Sequence, residues 1–103
     1  DVRADVYAMG IVLYELLADR RPFMNDRRSE LLRAHLLSPV PPLSEARPGL
    51  VVHPELEAIV MTALAKDPNK RYPNAGAMLA AMRGLPTNSA RLSTPPAAKT
   101  LRT

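Results

Sequence analysis

The feature that most constrains this chain is an apolar run at residues 6–18, broken only by Gly10 and Glu15. A helix at a protein surface keeps a polar stripe, so a helix built from this run is expected to be covered by protein on every side. The run is also too short to cross a bilayer, which takes about twenty residues. On periodicity alone it predicts the core helix of a small helical domain.

Two motifs add to that prediction. The first is DVYAMG (residues 5–10), followed by LYELL (13–17) and RPF (21–23). This order and spacing resemble the central helix of the large lobe in eukaryotic-like Ser/Thr protein kinases of the bacterial type. The second motif, LAKDPNKRY (64–72), resembles the LxxDPxxR motif of the same family. The resemblance covers residues 1–84 and implies the C-terminal, helical part of that lobe.

The predicted fold class is an all-α fragment of a two-lobed α+β kinase, with about four helices. Asp1 is placed to cap the first helix, and Asp19 stands at its end, where the family usually has glycine. A second helix is expected to start at Asn25 or Asp26 and run to Leu37. Its predicted inward side chains are apolar or aromatic: Leu31, Leu32, His35 and Leu36.

The second half of the predicted helical domain starts with a proline-rich connection. Residues 38–54 are expected to form an extended loop, because proline removes amide donors and blocks helices. The alternative for this stretch is a ligand of proline-binding domains. A third helix is predicted to open at Pro54 and to stop at Asp67 and Pro68. A fourth is predicted to follow an Asn74 cap, with apolar side chains inward: Met78, Leu79 and Met82.

The formal charge of +4 is concentrated in the last part of the chain. Residues 1–84 hold eleven Lys/Arg and ten Asp/Glu, whereas residues 85–103 hold Arg91, Lys99 and Arg102 with no acid. So sparse a charge in a Ser/Thr/Pro/Ala-rich stretch favours a disordered linker over a patch that binds nucleic acid or a membrane. We therefore predict a domain at 1–84 and a disordered tail at 85–103, with no nucleic-acid partner.

The composition also limits the chemistry. The chain has no cysteine, which excludes disulfides and thiolate metal sites. We expect no metal or cofactor site, and no signal peptide or membrane segment, within these residues. His35 lies beside leucines and is predicted to be a core or boundary histidine, since no second histidine or carboxylate has metal-binding spacing.

The resemblance assigns supporting roles to four residues. It implies that Asp5 accepts backbone amides of the catalytic loop, and that Val12 and Leu16 support an apolar column leading to the adenine of ATP. It implies that Arg71 pairs with the glutamate of an Ala-Pro-Glu motif, which this chain does not contain. Without the resemblance, the same residues would be a first-turn acid, ordinary core positions and a solvated arginine.

Three further arginines form a basic cluster on the second predicted helix. Arg27, Arg28 and Arg33 are candidates for docking an acidic or phosphorylated substrate. The alternative is a solvated helix face.

Phosphoryl transfer requires a phosphate-covering loop, a lysine, magnesium ligands and a catalytic aspartate. The chain contains no GxGxxG, HRD or DFG motif. The resemblance therefore implies a parent Ser/Thr kinase that uses ATP and Mg²⁺ on protein substrates in the cytoplasm, as a soluble enzyme or as the cytoplasmic part of a receptor kinase. Within it, this chain is predicted to be an inactive helical platform whose partner is the remainder of the kinase domain. The alternative is a pseudokinase remnant or a non-catalytic helical interaction module.

Overall fold

A computed structural model describes residues 1–85. Those residues form five α-helices and one 3₁₀ turn, without a strand: α1 (Val2–Ala18), α2 (Arg28–Leu37), α3 (Leu43–Ala46), α4 (Pro54–Ala63), the turn at Pro68–Lys70 and α5 (Ala75–Arg83). The all-α prediction is confirmed, with one short helix, α3, beyond the four expected. Of the tail predicted at residues 85–103, all but Leu85 lies outside the described residues.

Both ends of α1 use aspartate in the predicted way. The carboxylate of Asp1 accepts from the amide of Arg3 at 2.8 Å. Asp19 adopts the left-handed conformation with φ 58°, and its amide donates to the carbonyl of Glu15 at 2.8 Å. Aspartate can adopt this conformation at some energetic cost, which allows α1 to end here without the usual glycine.

The other elements pack against one side of α1. Helices α3, α4 and α5 all contact it, and they bury Val6, Gly10, Tyr14 and Leu17. The hydroxyl of Tyr14 donates to the carbonyl of Pro41 at 2.7 Å, so this buried polar group is satisfied. The opposite side of α1 is exposed. Within residues 1–85 the packed elements therefore cover one side of α1 and leave the other side exposed.

The core consists of two adjoining clusters on that buried side. Leu43 joins α3 to the first cluster, and Met78 joins α5 to the second. The first cluster comprises Tyr14, Leu17, Ala18, Leu43, Leu56, Val60 and Leu64. The second comprises Val6, Ile59, Ala63 and Met78. Helices α1 and α4 both supply residues to the two clusters, and α5 packs against both of these helices.

Helix α2 differs from its prediction in two respects. It begins at Arg28, and its cap position, Arg27, makes no side-chain hydrogen bond to the helix, so neither Asn25 nor Asp26 starts it. Leu32 and Leu36 are exposed rather than inward. Leucines occur on several sides of this short helix, and the buried side centres on Ala34 instead.

The proline-rich connection contains a helical turn that the sequence prediction missed. No proline lies between Pro42 and Pro48, which leaves one turn, α3, able to form. Leu43 is buried, and its amide donates to the carboxylate of Glu57 in the first turn of α4 at 3.1 Å. The expectation of an entirely extended loop is therefore wrong.

Helices α4 and α5 start where predicted. Pro54 opens α4 after a His53 cap, and the side chain of Asn74 caps α5 by accepting from the amide of Ala77 at 2.8 Å. Helix α4 ends at Ala63, before the predicted stop. In α5, Met78 is buried, while Leu79 is exposed contrary to prediction.

Candidate functional site

One candidate site is the exposed face of α1. Asp5, Met9, Val12 and Leu16 follow one another at spacings of four, three and four residues, so they form a single stripe along the helix. Val12 is 57% exposed and Leu16 is 66% exposed. The structure thus brings together three of the four predicted supporting residues, with a carboxylate at the head of an apolar stripe.

The apolar stripe continues into a groove between α1 and α5. The groove has a volume of about 370 Å³ and an almost wholly apolar lining: Ala8, Met9, Val12, Leu13, Leu16, Met78 and Met82. Exposed apolar surface of this kind is typical of an interaction site in a soluble protein.

Asp5 is exposed in the first turn of α1, where the helix dipole favours an acid. Within residues 1–85 its carboxylate makes no ion pair. In this position it is able to accept hydrogen bonds from groups outside the described chain.

Arg71 lies apart from that stripe and is half-buried. Its guanidinium donates to the carbonyls of Ala65 at 2.7 Å, Arg3 at 3.2 Å and Lys66 at 3.4 Å. It also lies over the ring of Tyr7, 4.8 Å from the centroid. Arg71 therefore ties the segment after α4 to the first turn of α1, which excludes the solvated alternative. No carboxylate pairs with it within residues 1–85.

A second cluster surrounds His35, where α2 meets α1. The hydroxyl of Tyr7 and Nδ1 of His35 are 2.7 Å apart, and the ring of Phe23 meets the imidazole edge to face at 5.0 Å. The ammonium of Lys66 donates to the carbonyls of Ala34 at 3.2 Å and His35 at 2.9 Å, and it lies 4.7 Å from the centroid of Phe23. Lys66 thus satisfies carbonyls at the C-terminal end of α2.

Burial and neighbouring cations shift the pKa values of this cluster. Burial lowers the pKa of His35, and the charge of Lys66 lowers it further. Burial also lowers the pKa of Lys66, with Arg71 adding to the effect. The pKa of Tyr7 is raised by burial, against the opposing charge of Arg71. The cluster therefore favours a neutral His35.

His35 is a boundary histidine, as predicted, but sequence reasoning did not single out its partners. Tyr7, Phe23 and Lys66 each lie inside one of the quoted motifs, DVYAMG, RPF and LAKDPNKRY. Their positions within those motifs were the sequence evidence that could have identified them as functional or structural residues.

The predicted docking arginines lie at the cap and on the surface of α2. Arg27, Arg28 and Arg33 are all exposed and make no ion pair within residues 1–85. A shallow depression on this helix is lined by Ser29, Glu30, Leu32, Arg33 and Leu36. The exposed surface of α2 therefore combines basic side chains with apolar ones.

Metal-binding clusters and membrane-spanning helices are both absent from the described part of the chain. It holds no group of three or more His, Cys, Asp or Glu side chains placed to bind a metal ion. None of its helices combines the length and the apolar character needed to span a bilayer.

Comparison with known proteins connects these features to a family. The chain is 44% identical over 81 residues to the serine/threonine-protein kinase PknB of Mycolicibacterium smegmatis and 41% identical over 83 residues to Pkn1 of Myxococcus xanthus. It is 38% identical over 87 residues to PknD of Mycobacterium tuberculosis. The resemblance to bacterial Ser/Thr protein kinases is confirmed. No family model matches the chain.

The matched segments make up most of this chain but only a small part of each relative. They cover 78%, 81% and 84% of this chain, but only 12%, 12% and 13% of the three relatives. The chain therefore spans about an eighth of the length of the curated relatives that it matches. It is similar to one segment of a bacterial Ser/Thr protein kinase, which agrees with the all-α architecture.

Proposed function

We propose that this chain is the C-terminal helical part of the large lobe of a Ser/Thr protein kinase, where it braces the catalytic loop and the activation segment. In the intact enzyme, ATP with Mg²⁺ would be the phosphoryl donor and a cytoplasmic protein the acceptor. The observation that carries the proposal is the identity of 38–44% to bacterial Ser/Thr kinases over about four-fifths of the chain. The kinase segment would end near residue 85, since Leu85 still packs against both core clusters.

The exposed face of α1 supports the bracing role. Val12 and Leu16 present apolar surface that the described residues leave in water, at a cost of about 25 cal/mol per Å². The rest of the kinase lobe would cover this surface and would place backbone amides against Asp5. A carboxylate that accepts such amides holds a loop in one conformation and takes no part in proton transfer.

The geometry of Arg71 supports its role as an anchor. A guanidinium has five N–H donors, and the three carbonyl contacts leave donors on both terminal nitrogens for a carboxylate. Arg71 is also held rigidly, because Tyr7 stacks against it. We propose that this prepositioned fork binds a glutamate of the activation segment.

We further propose that α2 presents a docking surface for acidic protein substrates. Over residues 26–33 the three exposed arginines are accompanied by two acids, Asp26 and Glu30. Leu32 and Leu36 add apolar contact area. Exposed charges mainly accelerate association. Reversing the charge of Arg28 and Arg33 to glutamate is expected to raise the KM of an acidic protein substrate several-fold and to leave the KM of ATP unchanged. An equal change in both KM values would contradict docking at α2.

The kinase assignment itself is tested by activity. The longer protein that carries this segment is expected to transfer the γ-phosphoryl group of ATP to serine or threonine of a protein in the presence of Mg²⁺. Residues 1–103 alone are expected to transfer none and to show no saturable ATP binding, because the loops that bind phosphate and metal are absent from this sequence. A longer protein without activity would indicate a pseudokinase remnant, and its HRD, DFG and APE motifs would then be expected to be degraded.

A further inference from the structure

We propose that the contact between His35 and Tyr7 is an acid-sensitive latch, which holds the C-terminal half of α2 on α1 at neutral pH and releases it on acidification. The proposal concerns a different part of the molecule from the α1 stripe. It does not depend on whether the parent protein is a kinase.

Few contacts hold α2 in place. Ala34 is its one buried residue. Its polar and aromatic contacts with other segments include the Tyr7 hydroxyl on Nδ1 of His35, the edge of Phe23 on the imidazole, and the Lys66 ammonium on two carbonyls. These contacts converge on residues 34 and 35, so the protonation state of one imidazole affects the C-terminal half of α2.

The groups around the ring oppose a positive charge on it. From α1 the ring meets Tyr7, which is neutral at physiological pH, and from the segment before α2 it meets Phe23, which carries no charge. From the segment after α4 come two cations: Lys66, which lies over the ring of Phe23, and Arg71, which lies over the ring of Tyr7. Within residues 1–85 no carboxylate pairs with His35. A protonated His35 would therefore add a third cation without adding a counterion.

The helix dipole does not compensate for this repulsion. His35 lies in the last turn of α2, where a cation is normally favoured. Here the Lys66 ammonium already occupies the carbonyls of Ala34 and His35, at 3.2 and 2.9 Å. The negative end of the dipole is thus already neutralised by a full charge.

The hydrogen bond to Tyr7 also changes on protonation. Neutral His35 can accept the Tyr7 proton at Nδ1, which fixes the remaining ring proton on Nε2. Protonated His35 has donors on both nitrogens, so Nδ1 must donate to the Tyr7 oxygen and the hydroxyl proton must turn elsewhere. Starting from the tautomer with the proton on Nε2, the direction of the bond reverses, and a half-buried O–H loses its partner.

The sign of the pH dependence follows from the lowered pKa of His35 in the docked state. The released state binds the proton first, near the ordinary value of 6.5. Docking is therefore fully stable above that pH and weakens as the pH falls from 6.5 through the lower pKa of docked His35. One pKa unit between the two states corresponds to about tenfold in the docking equilibrium.

The test is amide hydrogen exchange across the intact protein between about pH 7.5 and about pH 5.5, a range that brackets the ordinary histidine pKa, corrected for intrinsic rates. Amides of residues 31–37 are expected to exchange about two- to tenfold faster at the lower pH, with little change in α4. The midpoint should match the NMR titration of the His35 ring. His35→Gln retains an acceptor for Tyr7 but does not titrate in this range, so its exchange should be independent of pH.

His53→Gln is the matched control, because His53 is the other histidine of the chain and caps α4. This variant should retain the acceleration in α2. The proposal is overturned if the acceleration is equal in wild type and His35→Gln, or if it spreads evenly over α1, α4 and α5. If His35→Gln fails to fold, the wild-type protein still tests the proposal. An exchange midpoint that differs from the midpoint of the His35 ring titration, or no faster exchange of residues 31–37 at the lower pH, would overturn the latch.

Discussion

Replacing Gly10 by alanine is expected to destabilise the helical segment although it removes a glycine from the middle of a helix. A Cβ at this position would lie 2.9 Å from the Cβ of Ala63 and 2.9 Å from Cδ2 of Leu64. Ala63 is fully buried and its Cβ is fixed to the backbone of α4, so relief requires α1 and α4 to separate. Overpacking of this kind costs about 1–3 kcal/mol, which outweighs the gain in helix propensity of about 1 kcal/mol.

Gly84→Ala is the matched control for that substitution. It makes the same chemical change at the end of α5, where the new Cβ would meet its nearest atom at an ordinary 3.5 Å. Urea unfolding of the longer protein should show a lower midpoint for Gly10→Ala and, for Gly84→Ala, a stability within about 0.5 kcal/mol of wild type. Gly10→Val, which adds two more methyl groups, should lower the midpoint further. Equal midpoints for the two alanine variants would show that α1 and α4 do not pack as described.

Asp5→Ala is expected to lower kcat of the proposed parent kinase about ten- to a hundredfold and to change the affinity for nucleotide much less. In the proposed role the carboxylate accepts catalytic-loop amides, and leaving such buried donors unpaired costs about 1–3 kcal/mol. Each loss of about 1.36 kcal/mol, when it falls on the transition state, is about tenfold in rate. Steady-state kinetics at varied ATP concentration separate the two parameters.

Asp1→Ala is the control for this prediction. Asp1 is also an exposed acid at the start of α1, but its carboxylate is engaged with Arg3 as a helix cap. Its loss should cost about 1 kcal/mol of stability and leave kcat nearly unchanged. If Asp5→Ala affected kcat no more than Asp1→Ala, the bracing role of Asp5 would be wrong.

Much of the fold followed from local signals in the sequence. The caps at Asp1 and Asn74 were predicted, because capping depends on a side chain and the amides two or three residues away. The start of α4 at Pro54 and the left-handed end of α1 at Asp19 were also read from single residues. The failures came where tertiary contacts decide. Ala34 rather than Leu32 or Leu36 faces the core, and α3 forms because Leu43 finds a buried place and Glu57 supplies an acceptor.

The site was only partly predictable for the same reason. Helical spacing places Asp5, Val12 and Leu16 on one stripe, and this could be read from the sequence. The motifs contained Tyr7, Phe23 and Lys66, but nothing in their spacing indicates that they meet around His35 from three separate segments. The same limit applies to Arg71, whose three carbonyl partners include Arg3 at the other end of the sequence.

The central claim is that α1 belongs in the interior of a larger kinase lobe, and thiol labelling at Leu16 tests it most directly. The chain has no cysteine, so Leu16→Cys introduces a unique thiol into residues 1–103, and Leu36→Cys on α2 is the control. The two leucines are 66% and 63% exposed, so both introduced thiols should react rapidly in the isolated chain.

The longer protein, with its other accessible thiols removed, gives the decisive comparison. There we predict that the thiol introduced at position 16 reacts about tenfold or more slowly than the thiol introduced at position 36, because labelling on α1 would require local opening of the lobe. Equal labelling rates for the two variants in the longer protein would contradict the claim.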